Sequence, residues 1–261
     1  ETGTYPTHPE LLDWLAVEFM ERGWRMKAIY RLIVTSATYR QSSRMTPELL
    51  QRDPKNTLYA RGPRHRLEAE LIRDNALAIG GLLSRKIGGP SVFPYQPEGV
   101  WDIPYNADRW VMSEGEDRYR RGIYTFWRRS APYPSFVAFD ANSREVCTAN
   151  RPRTNTPLQA LVLLNDPVYI EAAQGLAKRM LKASRGSIEK GIQYGFRCCT
   201  ARYPQPPELA RLRTLYDRMR EHYRAHPDAA RKLTGQDDPA LAAWTMVAHV
   251  MLNLDETITK E

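Results

Sequence analysis

The chain has 261 residues, a hydrophobic fraction of 42% and a formal net charge of +8. This length allows one large domain or two small ones, and the apolar fraction is sufficient for a hydrophobic core. No run of about 18 apolar residues occurs, which excludes a membrane-spanning helix. The arginines are scattered and no nucleic-acid-binding motif accompanies them, so nucleic acid is not an expected partner.

Apolar residues repeat at three- and four-residue spacing through the first third of the chain, which predicts helices. Thr7 and Glu10 have the spacing of a capping box before the first helix, and Gly23 is expected to end it. The same pattern predicts further helices at about 26–37, from Thr46 onward, and at about 67–83.

Residues 88–135 have a different composition, with repeated prolines and ten aromatic residues, and long helices are not expected there. A short strand is predicted at 123–127. The aromatic rings have two interpretations: they pack into the core, or exposed rings such as Trp101 and Trp110 stack on sugars. Core packing is favoured because so many rings in one irregular segment need cover.

Helical periodicity returns in the second half of the chain, with predicted helices at about 157–164, 167–181, 187–200, 207–222 and 239–254. The polar segment 225–238 is predicted to be a loop or a frayed helix end. The predicted fold class is therefore mainly α, with at most a short β element. We expect a single helical domain over 1–261, as part of a longer protein, with 88–135 as an irregular segment inside it.

The strongest functional candidate is the polar stretch 140–159. Thr156 and Gln159 fit a capping box, Pro157 suits a first helical position, and a helix start presents unpaired N–H groups to an anion. Arginines just upstream add guanidinium donors. The sequence therefore predicts an anion-binding site, and its candidate residues are Arg40, Arg144, Arg151, Arg153, Asn155 and Thr156.

Each of these candidates has a simpler interpretation. The arginines could instead tie an irregular segment to helix ends, because buried loops need partners for their backbone groups. Arg40, in the polar patch 39–43, could fold back to join the site or could cap the second helix. Asp140, Glu145 and Cys147 are candidate catalytic residues, as acid, base or thiolate, although no histidine accompanies the cysteine.

No metal site and no cofactor are predicted for this chain. His222 and His226 have metal-ligand spacing, but the carboxylate of a zincin motif is missing. Three cysteines are too few for a disulfide scaffold, and no Cys-x-x-Cys-His motif provides a c-type haem attachment. No haem is therefore expected on this chain itself.

Several long phrases are specific enough to indicate a family: THPELLDWLA at 7–16, SATYRQSS at 36–43, GGPSV at 88–92, FD followed by REVCT within 139–148, RTNTPLQA at 153–160, and LNLDE at 252–256. They resemble the bacterial family called domain of unknown function 1553, which is typical of planctomycetes. The match spans nearly the whole chain.

The resemblance implies a module of larger periplasmic, cell-envelope or extracellular proteins, although no signal peptide precedes Tyr5 in this sequence. It also implies neighbouring domains of the same polypeptide, including a cytochrome c-like domain that would carry a haem. It assigns no reaction. Because its polar phrases coincide with the patches 39–43 and 144–155, we expect those two patches to lie close together.

Three functional hypotheses follow from these patterns. The leading one is an envelope or extracellular module that binds an anionic ligand, such as an acidic or sulfated glycan, or docks a partner domain. The second is a polysaccharide-acting enzyme that uses Asp140 or Glu145 as acid or base. The third is a scaffold that positions a cytochrome c-like domain.

Overall fold

The computed structural model describes residues 5–101, 109–148 and 150–260. Over these ranges the chain is mainly α-helical, as predicted, and its two-residue strands β1 (His65–Arg66) and β2 (Thr259–Lys260) pair with each other. The helices are α1 (Pro9–Glu21), α2 (Met26–Thr35), α3 (Pro47–Arg52), α4 (Ala69–Gly80), α5 (Pro134–Ala138), α6 (Pro157–Asn165), α7 (Pro167–Ser184), α8 (Ile188–Thr200), α9 (Pro206–Ala225), α10 (Pro227–Thr234), α11 (Pro239–Leu252) and α12 (Asp255–Ile258).

The chain divides into two compact units. The N-terminal unit comprises Glu1–His65 with Thr259–Glu261, and the main unit comprises Arg66–Ile258. The expectation of one domain over 1–261 stays a prediction. The main unit contains the polar stretch 140–159, and the N-terminal unit contains the polar patch 39–43.

Helix α11 lies at the centre of the main unit, where it packs against α7, α8 and α9. Its side chains are apolar around most of its circumference, which is the pattern of a helix enclosed by others. Trp244, Val247, Ala248 and Met251 are all buried. Burial of these side chains makes a large hydrophobic contribution to the stability of the unit.

Helix α4 packs against α7 at very short range. Gly80 allows this approach, because a Cβ at that position would lie 2.7 Å from the carbonyl oxygen of Ala172. A left-handed Gly81 then ends α4. The position of α4 matters for function, because its first turn carries Glu70, which contacts the polar stretch.

Residues 88–135 form two short 3₁₀ helices, at Gly115–Tyr119 and Gly122–Tyr124, and isolated bridges. The strand predicted at 123–127 is therefore wrong: a 3₁₀ turn occupies its first half, and Thr125 makes only one bridge. Buried Arg73 supports this segment by donating to the backbone oxygens of Arg120 at 2.7 Å and Arg118 at 2.6 Å.

The aromatic rings of this segment pack together, which confirms the core interpretation. The ring centroids of Phe93 and Trp110 lie 5.0 Å apart, those of Trp101 and Trp110 lie 5.3 Å apart, and Tyr133 is buried. Trp101 and Trp110 are half-buried. Tyr105 lies outside the described residues.

Two other local expectations are wrong. His8, not Thr7, is the N-cap of α1, because Pro9 suits the first helical position, and the Thr7 hydroxyl instead bonds His8 Nδ1 at 2.9 Å. The segment 225–238 contains the regular helix α10, which begins at Pro227 and ends at left-handed Gly235.

Among the described residues, none of the helices is long and apolar enough to span a bilayer.

Buried His249 of α11 links the core to helix α6. Its Nε2 lies 3.0 Å from the backbone oxygen of Leu163. A carbonyl only accepts, so Nε2 carries the hydrogen. Burial lowers the pKa of His249 below its ordinary value, and the hydrogen bond to Leu163 opposes this only in part.

This pKa gives a pH dependence of stability. The folded chain favours the neutral ring, so the contribution is complete above the unfolded pKa of about 6.5 and is lost as the pH falls toward the lower folded pKa. His249→Gln keeps a donor for Leu163 but does not titrate. We expect urea unfolding of this variant to show a shallower loss of stability below about pH 6.5, whereas the exposed-site control His222→Gln should follow the wild-type curve.

Candidate functional site

The polar stretch is organised around the guanidinium of Arg66, which directly precedes α4. One terminal nitrogen donates to Gln159 Oε1 at 2.7 Å and also to the backbone oxygen of Thr154. The other donates to Asp140 Oδ2 at 2.6 Å. The side chains of Arg66 and Asp140 are only 10% and 15% exposed, so this ion pair is shielded from solvent. A single side chain therefore joins both ends of the stretch.

Asp140 accepts from Thr154 as well as from Arg66. The Thr154 backbone N–H donates to it at 2.8 Å and the Thr154 hydroxyl at 2.9 Å. Burial by itself would raise the pKa of Asp140, but these hydrogen bonds outweigh it and hold the pKa below its ordinary value. Asp140 is therefore an ionised structural acceptor. It lies in the left-handed region, with φ of 62°, which Asp and Asn tolerate better than most residues.

The start of α6 forms as predicted. Thr156 is the N-cap and forms a capping box with Gln159, whose Oε1 also accepts the Thr156 N–H at 3.4 Å. Gln159 is buried, and its amide nitrogen donates to the Thr154 hydroxyl at 3.1 Å. Internal side chains therefore accept hydrogen bonds from backbone N–H groups at the start of α6. The sequence predicts that such groups bind an external anion.

Arg151 is held by two carboxylates near the start of α4. It lies 2.7 Å from Glu70 Oε2 and 3.5 Å from Glu68 Oε2. The hydrogen bond to Glu70 is the main cause that raises the pKa of Arg151 above its ordinary value. Arg151 therefore ties the polar stretch to α4, which agrees with the interpretation that the arginines hold an irregular segment against helix ends.

Beside Arg151 the surface opens into a cleft of about 520 Å³, lined by Glu68, Asn142, Thr148, Asn150, Arg151 and Arg153. Arg153 is exposed, and its guanidinium has no hydrogen-bond or ion-pair partner among the described residues. The cleft thus combines one paired and one unpaired guanidinium with amide, hydroxyl and carboxylate groups. We call it the 151–153 cleft.

The remaining candidates lie apart from the Arg66 network. Arg144 stacks over Trp127, with its guanidinium carbon 4.9 Å from the ring centroid. Glu145 and Asn155 are exposed, and Cys147 is an exposed free thiol. None of these residues lines the 151–153 cleft.

Arg40 belongs to the N-terminal unit. Its Nε donates to the backbone oxygen of Ser36 at 3.4 Å, and Gln41 donates from its amide to the backbone oxygen of Tyr59 at 2.8 Å. Ser36 is the C-cap of α2. These contacts agree with the capping interpretation of the patch 39–43. That the patch joins the polar stretch stays a prediction.

The described residues contain no group of three or more His, Cys, Asp or Glu arranged to hold a metal ion. The rings of His222 and His226 stack, with centroids 4.5 Å apart, and His226 Nδ1 contacts the backbone oxygen of His222 at 2.9 Å.

Comparison with known proteins identifies the family. A family model described as PSD1, protein of unknown function (DUF1553), matches residues 1–216. The chain belongs to this family. No curated protein and no solved structure matches the chain. The family assignment confirms the resemblance stated above. It assigns no activity to the chain, because the family is described as one of unknown function.

Sequence analysis missed the residue on which the site is built. Arg66, Glu68 and Glu70 are not among the candidate residues predicted from the sequence. A usable signal exists, because HRLEAE at 65–70 places two carboxylates at a helix start, where negative charge is favoured. The partners could not be read from spacing, since Asp140 and Gln159 lie 74 and 93 residues away.

The Arg66–Asp140 pair gives a stability prediction. Asp140→Asn tolerates the left-handed backbone and keeps an acceptor oxygen, but it leaves the shielded Arg66 charge unpaired. We expect the free energy of unfolding in urea to fall by on the order of 2 kcal/mol, the cost of losing a charged hydrogen-bond partner.

Asp228→Asn is the matched control, because the Asp228 side chain is 97% exposed and its nearest cation lies 3.7 Å away. Its effect should stay within about 0.5 kcal/mol. Combining Asp140→Asn with Arg66→Met should cost less than the sum of the two changes. Strict additivity would contradict a direct interaction between the two residues.

Proposed function

We propose that the main unit binds an anionic glycan, of the acidic or sulfated type, in the 151–153 cleft. The observation that carries the proposal is Arg153, an exposed guanidinium at the wall of an open polar cleft, with no partner in the part of the chain that the structure describes. A guanidinium offers a planar pair of donors that matches a carboxylate or sulfate.

The mixed chemistry of the cleft favours a sugar over a simple anion. Asn142 and Asn150 supply both donors and acceptors, and Glu68 supplies an acceptor for hydroxyl groups. Two carboxylates, Glu68 and Glu70, offset much of the positive charge of Arg151. The cleft therefore suits a ligand with one anionic group among several hydroxyls, and it is poorly suited to a densely charged phosphate cluster.

The two arginines have different roles in this proposal. Arg151 is held in place by Glu70, so its remaining donors are oriented before any ligand arrives, which lowers the entropic cost of binding. Arg153 supplies the charge that the ligand neutralises. The Thr156 N–H at the start of α6 is not part of the proposed site, because it already donates to the Gln159 side chain.

Binding is favoured over acid–base catalysis by the state of Asp140. A general acid at neutral pH needs a raised pKa, whereas hydrogen bonds hold the pKa of Asp140 low and commit its oxygens to Thr154 and Arg66. Glu145 is exposed and does not line the 151–153 cleft. Neither of the two candidate carboxylates is therefore placed to act as acid or base on a ligand in this cleft.

We extend the proposal to location and context on the basis of the family resemblance. A glycan-binding module of this kind would work in the periplasm, in the cell envelope or outside the cell. Other domains of the same polypeptide, including a cytochrome c-like domain that carries the haem, would be its partners. Fractionation of the full-length protein and absorbance spectroscopy of the purified polypeptide test these two points.

The proposal predicts a specific loss on removal of one guanidinium. Arg153→Ala should weaken binding to chondroitin sulfate or polygalacturonate roughly tenfold, the effect of losing one charged hydrogen-bonding pair. The melting temperature should not change, because Arg153 has no partner among the described residues. Affinity electrophoresis in gels that contain either polymer measures the binding.

The control must distinguish specific binding in the cleft from the non-specific attraction of any polyanion to a chain of net charge +8. Arg211→Ala removes the same charge from an exposed position on α9. It should leave both affinities nearly unchanged, and neutral dextran should retard neither protein. Equal losses for the two variants would reject the 151–153 cleft as the binding site.

A further inference from the structure

The first two helices of the N-terminal unit expose an unusual amount of apolar surface. Neither α1 nor α2 contains a single buried residue. Leu12 is 56% exposed, Trp14 47% and Met20 48% on α1, while Tyr30 is 55% and Val34 45% exposed on α2. Scattered exposed apolar side chains are ordinary, but this many on two adjacent helices indicate an interaction surface.

The two helices nevertheless form a defined hairpin. They contact each other, and the ring of Phe19 in α1 meets that of Trp24 in the following turn edge-on, with centroids 5.1 Å apart. Left-handed Gly23 makes the turn between them. The apolar residues on the inner side, such as Leu15 and Leu32, are half-buried. The hairpin therefore seals one side of each helix and leaves the other open.

A groove of about 710 Å³ adjoins this surface within the N-terminal unit. Its lining is mainly apolar and aromatic and includes Leu11, Trp14, Ile33, Tyr39 and Tyr59. The groove is large enough to accept several side chains of a docked helix. Its presence next to the exposed residues indicates a surface shaped for packing.

The charges on the two helices are opposite in sign. Helix α1 carries Glu10, Asp13, Glu18 and Glu21 and no basic residue. Helix α2 carries Lys27 and Arg31 and no acidic residue, and Arg25 directly precedes it. Of the acidic residues, Glu18 is paired locally with Arg22. The hairpin thus presents an apolar surface with one acidic and one basic flank.

This distribution is self-complementary. In a two-fold arrangement, α1 of one copy faces α2 of the other, so both acidic flanks meet basic flanks while the apolar surfaces pack together. An anionic membrane would attract α2 but repel α1, so the charges disfavour a lipid surface. We propose that the α1–α2 hairpins of two copies of this chain dock on each other, forming an antiparallel four-helix arrangement.

The oligomeric state of the full chain tests this proposal. Sedimentation velocity with the wild-type chain should show a dimer at micromolar concentrations, and Leu12→Glu should shift it to a monomer because a charge would enter the apolar interface. The melting temperature of the variant's main transition should be the same as that of the wild-type chain. Ile123→Glu is the control, because Ile123 is equally apolar, 67% exposed and located in the main unit, and this variant should stay dimeric.

A charge exchange tests the complementarity without touching the apolar residues. One variant carries Asp13→Lys with Glu21→Lys, and the other carries Lys27→Glu with Arg31→Glu. Each alone places like charges across the interface and should be monomeric, whereas an equimolar mixture should form a heterodimer.

A monomeric wild-type chain, a dimer that survives Leu12→Glu, or charge variants that fail to pair when mixed would overturn the proposal. Binding of the wild-type chain to vesicles of phosphatidylglycerol, abolished by Leu12→Glu, would assign the surface to a membrane instead and would equally overturn it.

Discussion

The contact of the Arg66 guanidinium with Asp140, Thr154 and Gln159 is the constraint on which the polar stretch depends. A segment of this composition has too few apolar groups to fix its own conformation. Arg66 supplies what hydrophobic burial does not, because its planar fork can satisfy a carboxylate, a carbonyl and an amide oxygen at once. It projects from just before α4, which packs closely against α7, so the stretch is tied to a tightly packed pair of helices.

The arginines of the polar stretch differ in their partners. Arg66 and Arg151 have carboxylate partners and hold the segment in place, while Arg153 at the cleft wall has none among the described residues. A buried ion pair contributes little net stability, but it fixes one geometry over others. In the proposed function, this fixed geometry is what presents the Arg153 guanidinium, with Asn142 and Asn150, to a ligand.

Features set by local chemistry were predictable from the sequence, and features set by distant contacts were not. The capping box of Thr156 and Gln159 and the cap of α3 at Thr46 follow from residues three positions apart. Helix α10 was missed although Pro227 and Gly235 mark its ends, because its polar composition resembles that of a loop. The start of α1 was misplaced by one residue because Pro9 decided the first helical position.

The partners of the site arginines lie far along the chain, and no spacing rule connects them. Glu70 meets Arg151 across 81 residues, and Arg66 meets Asp140 across 74. These pairs exist because α4 and the polar stretch are brought together by the packing of α4, α5, α6 and α7. At the start of α6, where the sequence predicts an anion site, the Gln159 side chain accepts the Thr156 N–H instead.

Hydrogen exchange at the backbone amide of Thr154, which donates to Asp140, measures the central claim most directly. If Arg66 holds the stretch, Arg66→Met should reduce the protection of this amide and its neighbours at 140–156 by more than about tenfold, through local opening, while amides in the centre of α11 change far less. Arg144→Met, which removes only a stacking contact with Trp127, should leave Thr154 protected. Unchanged protection of Thr154 in Arg66→Met would contradict the account.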